Sequence, residues 1–224
     1  GAGSKTTVTG VQQIVEAQFV LTPDVTAPNP VVNSQLASTR RALDIKYAPE
    51  AVASTADTMR VVLTGASNGA FAVPGQTPLV NVELTTNGIE QLNVVNTAST
   101  AGFAGEYLRG LTVGAGSGVQ RVLIENNDDF GFRVNLAPVA AQIKEFDATR
   151  SNKTMVLDMG TGLNATQNLR GSALLGDVLA VANPASLNAD VLKAVSAFEV
   201  LRINGSSGTA LNASQTGELR TIEL

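Results

Sequence analysis

A six-residue phrase recurs along this chain, with apolar residues at its first, fourth and sixth positions. Its copies occupy residues 89–94, 108–113, 119–124, 143–148, 198–203 and 219–224. Apolar residues two positions apart lie on one face of a β-strand, so the second half of each copy predicts a strand with a buried face. Repetition at intervals of tens of residues is typical of stacked folds whose units share one core.

The remaining pattern is also that of a β-protein. Residues 59–63 and 80–84 alternate apolar and polar side chains between Gly, Asn and Pro turn signals, which predicts strands. The main helix candidate is 186–195, with Ser186 as its expected N-cap. Aromatic residues make up only 4% of the 224 residues, and a core of small branched side chains suits closely spaced strands. We therefore predict an all-β fold with few short helices: a right-handed parallel β-solenoid-like stack or, as the alternative, a β-sandwich.

The first fifty residues differ from the rest and predict a boundary. Residues 22–30 hold three prolines and must form an extended loop. On either side, 11–21 fits a strand or a short helix, and 42–47 alternates like a strand. We expect 1–50 to be a lead-in or junction segment with a proline-rich loop, and 51–224 to be the β-solenoid-like repeat domain.

The composition excludes several classes of function. The chain has neither histidine nor cysteine, which excludes Ser-His-Asp triads, Cys-His nucleophiles and typical zinc sites. The net charge is -4 and no stripe of Lys and Arg is present, so we expect no nucleic-acid partner. No apolar run approaches the roughly 20 residues that span a bilayer, so we expect no membrane insertion.

Two longer units of the sequence match each other. In the first, Asp57 precedes a strand pattern and Glu90 is the second residue of a later phrase; in the second, Asp177 and Glu199 hold the same positions. We expect the two glutamates to point outward and to pair with Arg or Lys of the next coil.

These units, together with 171–179 and 88–92, resemble the β-solenoid regions of bacterial S-layer proteins and of related type-I-secreted, RTX-like surface proteins. The resemblance covers roughly residues 55 to 224. It implies a secreted repeat protein on the bacterial cell surface that binds calcium. The full calcium-binding nonapeptide with its three glycines is not present, so calcium is expected at isolated turns rather than along a regular roll.

Five residues are the candidate calcium ligands. Asp57 and Asp177 would each offer a carboxylate from a turn, and Asn126, Asp128 and Asp129 belong to the densest cluster of oxygen ligands. The alternative is that the first two aspartates cap turns by accepting hydrogen bonds from nearby N–H groups, and that the cluster is a solvated acidic turn. Both interpretations stay open at this point.

We expect a structural role and no catalytic residues. The hypothesis is a cell-surface domain that assembles with copies of itself into an S-layer-like lattice, assisted by calcium, with cell-surface polysaccharide as a further partner. The first alternative is a binding module of the adhesin or phage-fibre type, which should be trimeric. The second is a carbohydrate-active enzyme on a β-solenoid, which needs a pair of carboxylates; here the carboxylates are few and scattered.

Overall fold

The chain folds into short strands separated by turns. The computed structural model describes residues 5–21, 39–65, 79–97, 108–128, 132–182, 187–204 and 218–223. The strands are β1 (Lys5–Val11), β2 (Ala17–Leu21), β3 (Thr39–Tyr47), β4 (Thr58–Gly65), β5 (Leu79–Thr86), β6 (Gln91–Asn96), β7 (Leu108–Val113), β8 (Arg121–Asn126), β9 (Phe132–Asn135), β10 (Glu145–Asp147), β11 (Met155–Asp158), β12 (Asn168–Arg170), β13 (Val178–Val181), β14 (Val195–Ser196), β15 (Val200–Ile203) and β16 (Thr221–Glu223).

Successive strands alternate between two parallel sheets. Sheet 1 has the order β1-β3-β5-β7-β9-β11-β13-β15-β16, and sheet 2 has the order β14-β12-β10-β8-β6-β4-β2. Each coil thus adds one strand to each sheet as far as β15. Paired residues are 23 positions apart between β9 and β11 and 22 positions apart between β13 and β15. The pairs within the described part are all parallel, which confirms the solenoid-like prediction over the antiparallel sandwich.

The recurring phrase predicted how strands face the core. Its copies at 89–94, 119–124 and 143–148 run into β6, β8 and β10 of sheet 2, while those at 108–113 and 198–203 contain β7 and β15 of sheet 1. In the copy at 89–94, Leu92 and Val94 lie inside the strand and Ile89 is buried in the turn before it. Two apolar residues therefore fill the space between the sheets and the third closes the end of the coil.

The strands before residue 50 belong to the same two sheets as the later strands. β1 pairs with β3, and β3 pairs along seven positions with β5. The segment 11–21 contains the end of β1 and the whole of β2, so it is a strand and not a helix. The sheets continue across the predicted boundary, and the proline-rich loop 22–30 lies outside the described residues.

Helical structure is limited to short turns. The helix α1 (Ala189–Lys193) is shorter than predicted, and its N-cap is Asn188, whose side chain accepts hydrogen bonds from the N–H groups of Asp190 and Val191. Two 3-10 turns, Pro49–Val52 and Ala140–Gln142, lie at corners of the stack. Ser186, the expected cap, lies outside the described residues. No helix in the described part is long and apolar enough to cross a membrane.

We predict that shortening a core aromatic destabilises the whole stack. Phe146 is fully buried, and its ring lies 6.4 Å from that of Phe198, centroid to centroid. F146A should lower the free energy of unfolding by about 3–5 kcal/mol, because it removes buried surface and leaves a cavity. Urea unfolding measures the loss. The control L175A, at a side chain 67% exposed, should change the value by about 0.5 kcal/mol or less.

Candidate functional site

The predicted ligand Asp177 lies at a turn, where it holds backbone groups of two segments. It is fully buried. Its Oδ1 accepts a hydrogen bond from the N–H of Met155 at 2.8 Å, and its Oδ2 accepts one from the N–H of Ser172 at 2.5 Å. Both carboxylate oxygens thus accept hydrogen bonds from backbone amides, which is what the turn-capping interpretation predicts.

A close approach of two chain segments explains why a glycine stands beside this carboxylate. A Cβ placed on Gly171 would lie 1.7 Å from the carbonyl oxygen of Ala197 and 2.9 Å from Asp177 Oδ2. The N–H of Gly171 donates to the carbonyl of Ser196 at 2.9 Å. Gly171, the first residue of the segment 171–179, therefore allows one coil to pack closely on the next.

Asp57 has a similar role in the matching unit, although its side chain is less buried. Its Oδ2 accepts a hydrogen bond from the N–H of Ser54 at 3.1 Å. Because β4 belongs to sheet 2 and β13 to sheet 1, Asp57 and Asp177 begin strands on different faces of the stack. The structure therefore does not bring these two predicted ligands together.

Glu90 and Glu199 bind backbone N–H groups and not the Arg or Lys that was predicted. Glu90 Oε2 accepts a hydrogen bond from the N–H of Asp57 at 2.9 Å, and Glu199 Oε2 accepts one from the N–H of Asp177 at 3.1 Å. In the following coil, Glu218 likewise accepts a hydrogen bond from the N–H of Ala197. Each glutamate thus joins its own coil to the previous one, where an unpaired N–H at the start of a strand needs an acceptor.

Asn96 and Asn126 form a buried ladder at the end of β6 and β8. The Nδ2 of Asn96 donates to Oδ1 of Asn126 at 2.8 Å, and the Nδ2 of Asn126 donates to the carbonyl of Thr154 at 2.9 Å. The N–H of Asp128 donates to the same Oδ1 of Asn126 at 3.3 Å. Asn126 and Asp128 are therefore two predicted ligands that the structure does bring together, while Asp129 lies outside the described residues.

Arg109 is the residue at this corner that the sequence did not point to. It is fully buried on β7, and its Nε lies 3.2 Å from Asp128 Oδ2, an ion-pair contact rather than an aligned hydrogen bond. Its Nη1 donates to Asn96 Oδ1 at 2.9 Å and to the carbonyl of Thr97 at 2.6 Å. The guanidinium therefore joins a carboxylate, an amide and a backbone carbonyl inside the stack.

The opposite corner, where sheet 1 leads to sheet 2, uses amide side chains in the same way. Gln142 donates to the carbonyls of Ser117 and Val119 at 2.5 and 3.1 Å. Gln167, which is buried, donates to the carbonyl of Ala140 at 2.7 Å. Each amide thus reaches back to a turn of the preceding coil.

No cation site is assembled from the acidic residues that the structure describes. Within those ranges, no group of three or more Asp, Glu, His or Cys side chains is close enough to hold a metal ion. Calcium assistance stays a prediction.

The outer face of sheet 2 carries a shallow groove, which differs from the corners because its side chains reach solvent. The groove has a volume of about 250 Å³ and lies across β4, β6, β8 and the end of β10. Its lining includes two cationic side chains, two carboxylates and an apolar side chain: Arg60, Arg150, Glu125, Asp147 and Leu123. A second, more polar groove crosses the start of the same strands.

Comparison of the chain with protein-family models, with curated proteins and with solved structures found no match in any of the three.

We predict that Asp177 makes stability depend on pH. Burial raises the pKa of Asp177 above its ordinary value of 3.8, and the Glu199 carboxylate acts in the same direction, against the hydrogen bonds from Ser172 and Met155. The folded protein therefore binds this proton more tightly than the unfolded chain, and the contribution of Asp177 to stability falls as the pH rises from about 3.8 upward.

The variant D177N cannot ionise and should lack this dependence. The free energy of unfolding of the wild-type chain, taken relative to D177N, should fall as urea unfolding is repeated from pH 3.5 to pH 7. A constant difference, or one that grows with pH, would contradict the raised pKa.

We predict that Asp128 and Arg109 stabilise the stack only as a pair. D128N leaves the buried guanidinium without the Asp128 carboxylate and should cost about 3–5 kcal/mol in urea unfolding. The double variant R109M/D128L removes both charges and should be less destabilised than D128N. A double variant that is destabilised as much as D128N, or more, would contradict this pairing.

Proposed function

We propose that this chain is a structural scaffold domain that assembles with copies of itself on a bacterial cell surface. One observation carries the proposal: polar and charged side chains that enter the stack are used to join one coil to the next. Asp177, Glu199, Asn126 and Gln167 each bind the backbone of a neighbouring coil. Such use of polar groups supports a rigid repetitive body whose exposed faces carry its function.

The route to assembly in this proposal is contact between coil faces. The strands of sheet 2 present exposed or half-buried charges, among them Arg60, Arg121 and Glu145. Regular spacing of such charges along parallel strands gives a surface that copies of the chain can match repeatedly. Secretion and a cell-surface polysaccharide as second partner belong to the same proposal, and calcium assists by joining exposed carboxylates between copies.

A binding module is the second candidate, and the groove on sheet 2 favours it. The groove places Arg60 and Arg150 beside Glu125 and Asp147, so it offers both donors and acceptors to a polar ligand. In this alternative the face binds a glycan or a surface protein, and the chain works as a trimer of the adhesin or phage-fibre type.

Electron microscopy of the purified chain, with calcium and with a chelator, tests the proposal. We expect ordered sheets or filaments, more extensive in calcium, and a lower melting temperature in chelator that added calcium restores. Discrete trimers would favour the binding module, and single particles at every concentration would contradict self-assembly. Assembly that is equal in both solutions would leave the scaffold standing and remove calcium from it.

A further inference from the structure

One column of outward-facing residues crosses sheet 2 at right angles to its strands. Strand pairing places Arg60 beside Asn93, Asn93 beside Leu123, Leu123 beside Asp147 and Asp147 beside Arg170. Glu16 precedes the residue that pairs with Val61, and its carboxylate forms an ion pair with Arg60. We call these six residues, from Glu16 on the β2 side to Arg170 on β12, the central column.

The charges of the central column are antisymmetric about its midpoint. In order from the β2 side they are negative, positive, neutral, neutral, negative and positive. A two-fold axis parallel to the strands, midway between Asn93 and Leu123, reverses that order. Arg60 then faces Asp147 of the second copy, and the neutral residues face each other.

From this pattern we infer that the outer face of sheet 2 binds the same face of a second copy of the chain, with the two stacks antiparallel. The inference rests on the proposed function, since it names the surface through which self-association begins. A two-fold contact requires a surface that is complementary to itself, and antisymmetric charge is one way to achieve this.

The neighbouring column raises no conflict with this arrangement. On the rows from β4 to β12 it consists of Thr58, Gln91, Arg121, Glu145 and Asn168. The same axis places Thr58 opposite Glu145, and Gln91 opposite Arg121. No like charges from these strand positions meet, so this alignment has no like-charge repulsion there.

The axis places Leu123 opposite Asn93 of the second copy, and Val95 opposite Glu125, so the contact at the centre of the face is mixed apolar and polar. Leu123 and Val95 are half-buried and line the groove together with the charged residues Arg60, Glu125 and Asp147. Strands lie about 4.8 Å apart, so the six rows extend about 24 Å. A contact of that length is modest by itself and gains strength when a lattice repeats it.

Ion pairs across the interface would extend the ion pair that Arg60 and Glu16 form within one chain. Arg60 is half-exposed, with a side-chain exposure of 52%, and it pairs with Glu16 in its own chain. In the dimer, Asp147 of the second copy approaches Arg60 and Arg170 of the second copy approaches Glu16. The result is a row of alternating charges, in which each charge meets an opposite one.

Charge reversal tests this arrangement by sedimentation of the purified chain at several concentrations. R60E should weaken self-association at least about tenfold, because Glu at position 60 would face Asp147 of the second copy. D147K should weaken self-association in the same way, because Lys at position 147 would face Arg60 of the second copy. The double variant R60E/D147K and an equimolar mixture of the two single variants should both regain association, since each restores opposite charges across the axis.

Two matched controls change the net charge away from the face. K46E changes the net charge by the same amount as R60E, and E50K by the same amount as D147K. Both controls alter exposed residues outside the central column and should leave association unchanged. Because Asp147 also accepts hydrogen bonds from Thr149, E16K and R170E form a second pair for the same test if D147K is poorly folded.

The outcomes separate this inference from the proposed function. The sheet 2 interface would be overturned if the single reversals left association unchanged, or if the double variant and the mixture failed to restore it. Either result would leave self-assembly standing. A wild-type chain that stays monomeric at every concentration would overturn both. Single reversals that weaken association, restored in both combinations, support the interface.

Discussion

The whole stack depends on satisfying the backbone groups at the corners of the coils. Within the sheets, parallel pairing supplies partners for N–H and C=O groups, but at each corner the chain leaves one sheet before it joins the other. An unpaired buried N–H or C=O costs free energy comparable to a lost hydrogen bond. Glu199 meets this need at Gly176 and Asp177, and Gln142 meets it at Ser117 and Val119. Side chains that reach one coil back therefore hold the coils in register.

This constraint explains what the sequence predicted well and what it did not. The apolar phrase predicted strands and a stacked core, because burial between two sheets requires apolar side chains with a period of two. The same pattern does not say which sheet a strand joins. Copies of the phrase at 119–124 and 198–203 lie in different sheets, since each half of a coil faces the same kind of core.

The corners were harder to predict, because their polar side chains act over distances of one coil. Glu90 and Glu199 were matched correctly with Asp57 and Asp177, yet their partners were predicted wrongly. Their charge suggested Arg or Lys, and they bind backbone N–H groups of the earlier coil instead. Asn96 and Asn126 carried a usable signal: each stands two residues after the last apolar position of a phrase. Arg109 carried none, because its partners come from several separate segments of the chain.

Because inward and corner residues hold the fold together, the residues of the outer faces are the ones that can vary with function. Inward positions must be apolar and corner positions must bind backbone, so a substitution there weakens the stack. Neither requirement applies to outward positions such as Asn93 and Leu123. Because strands of a solenoid are in register, each outward column is a linear series of side chains spaced by the strand separation, and its sequence of charges can be changed without altering the fold. A self-complementary series in one such column is therefore a property of the surface rather than a requirement of folding, and assembly is the kind of function that such a column can serve.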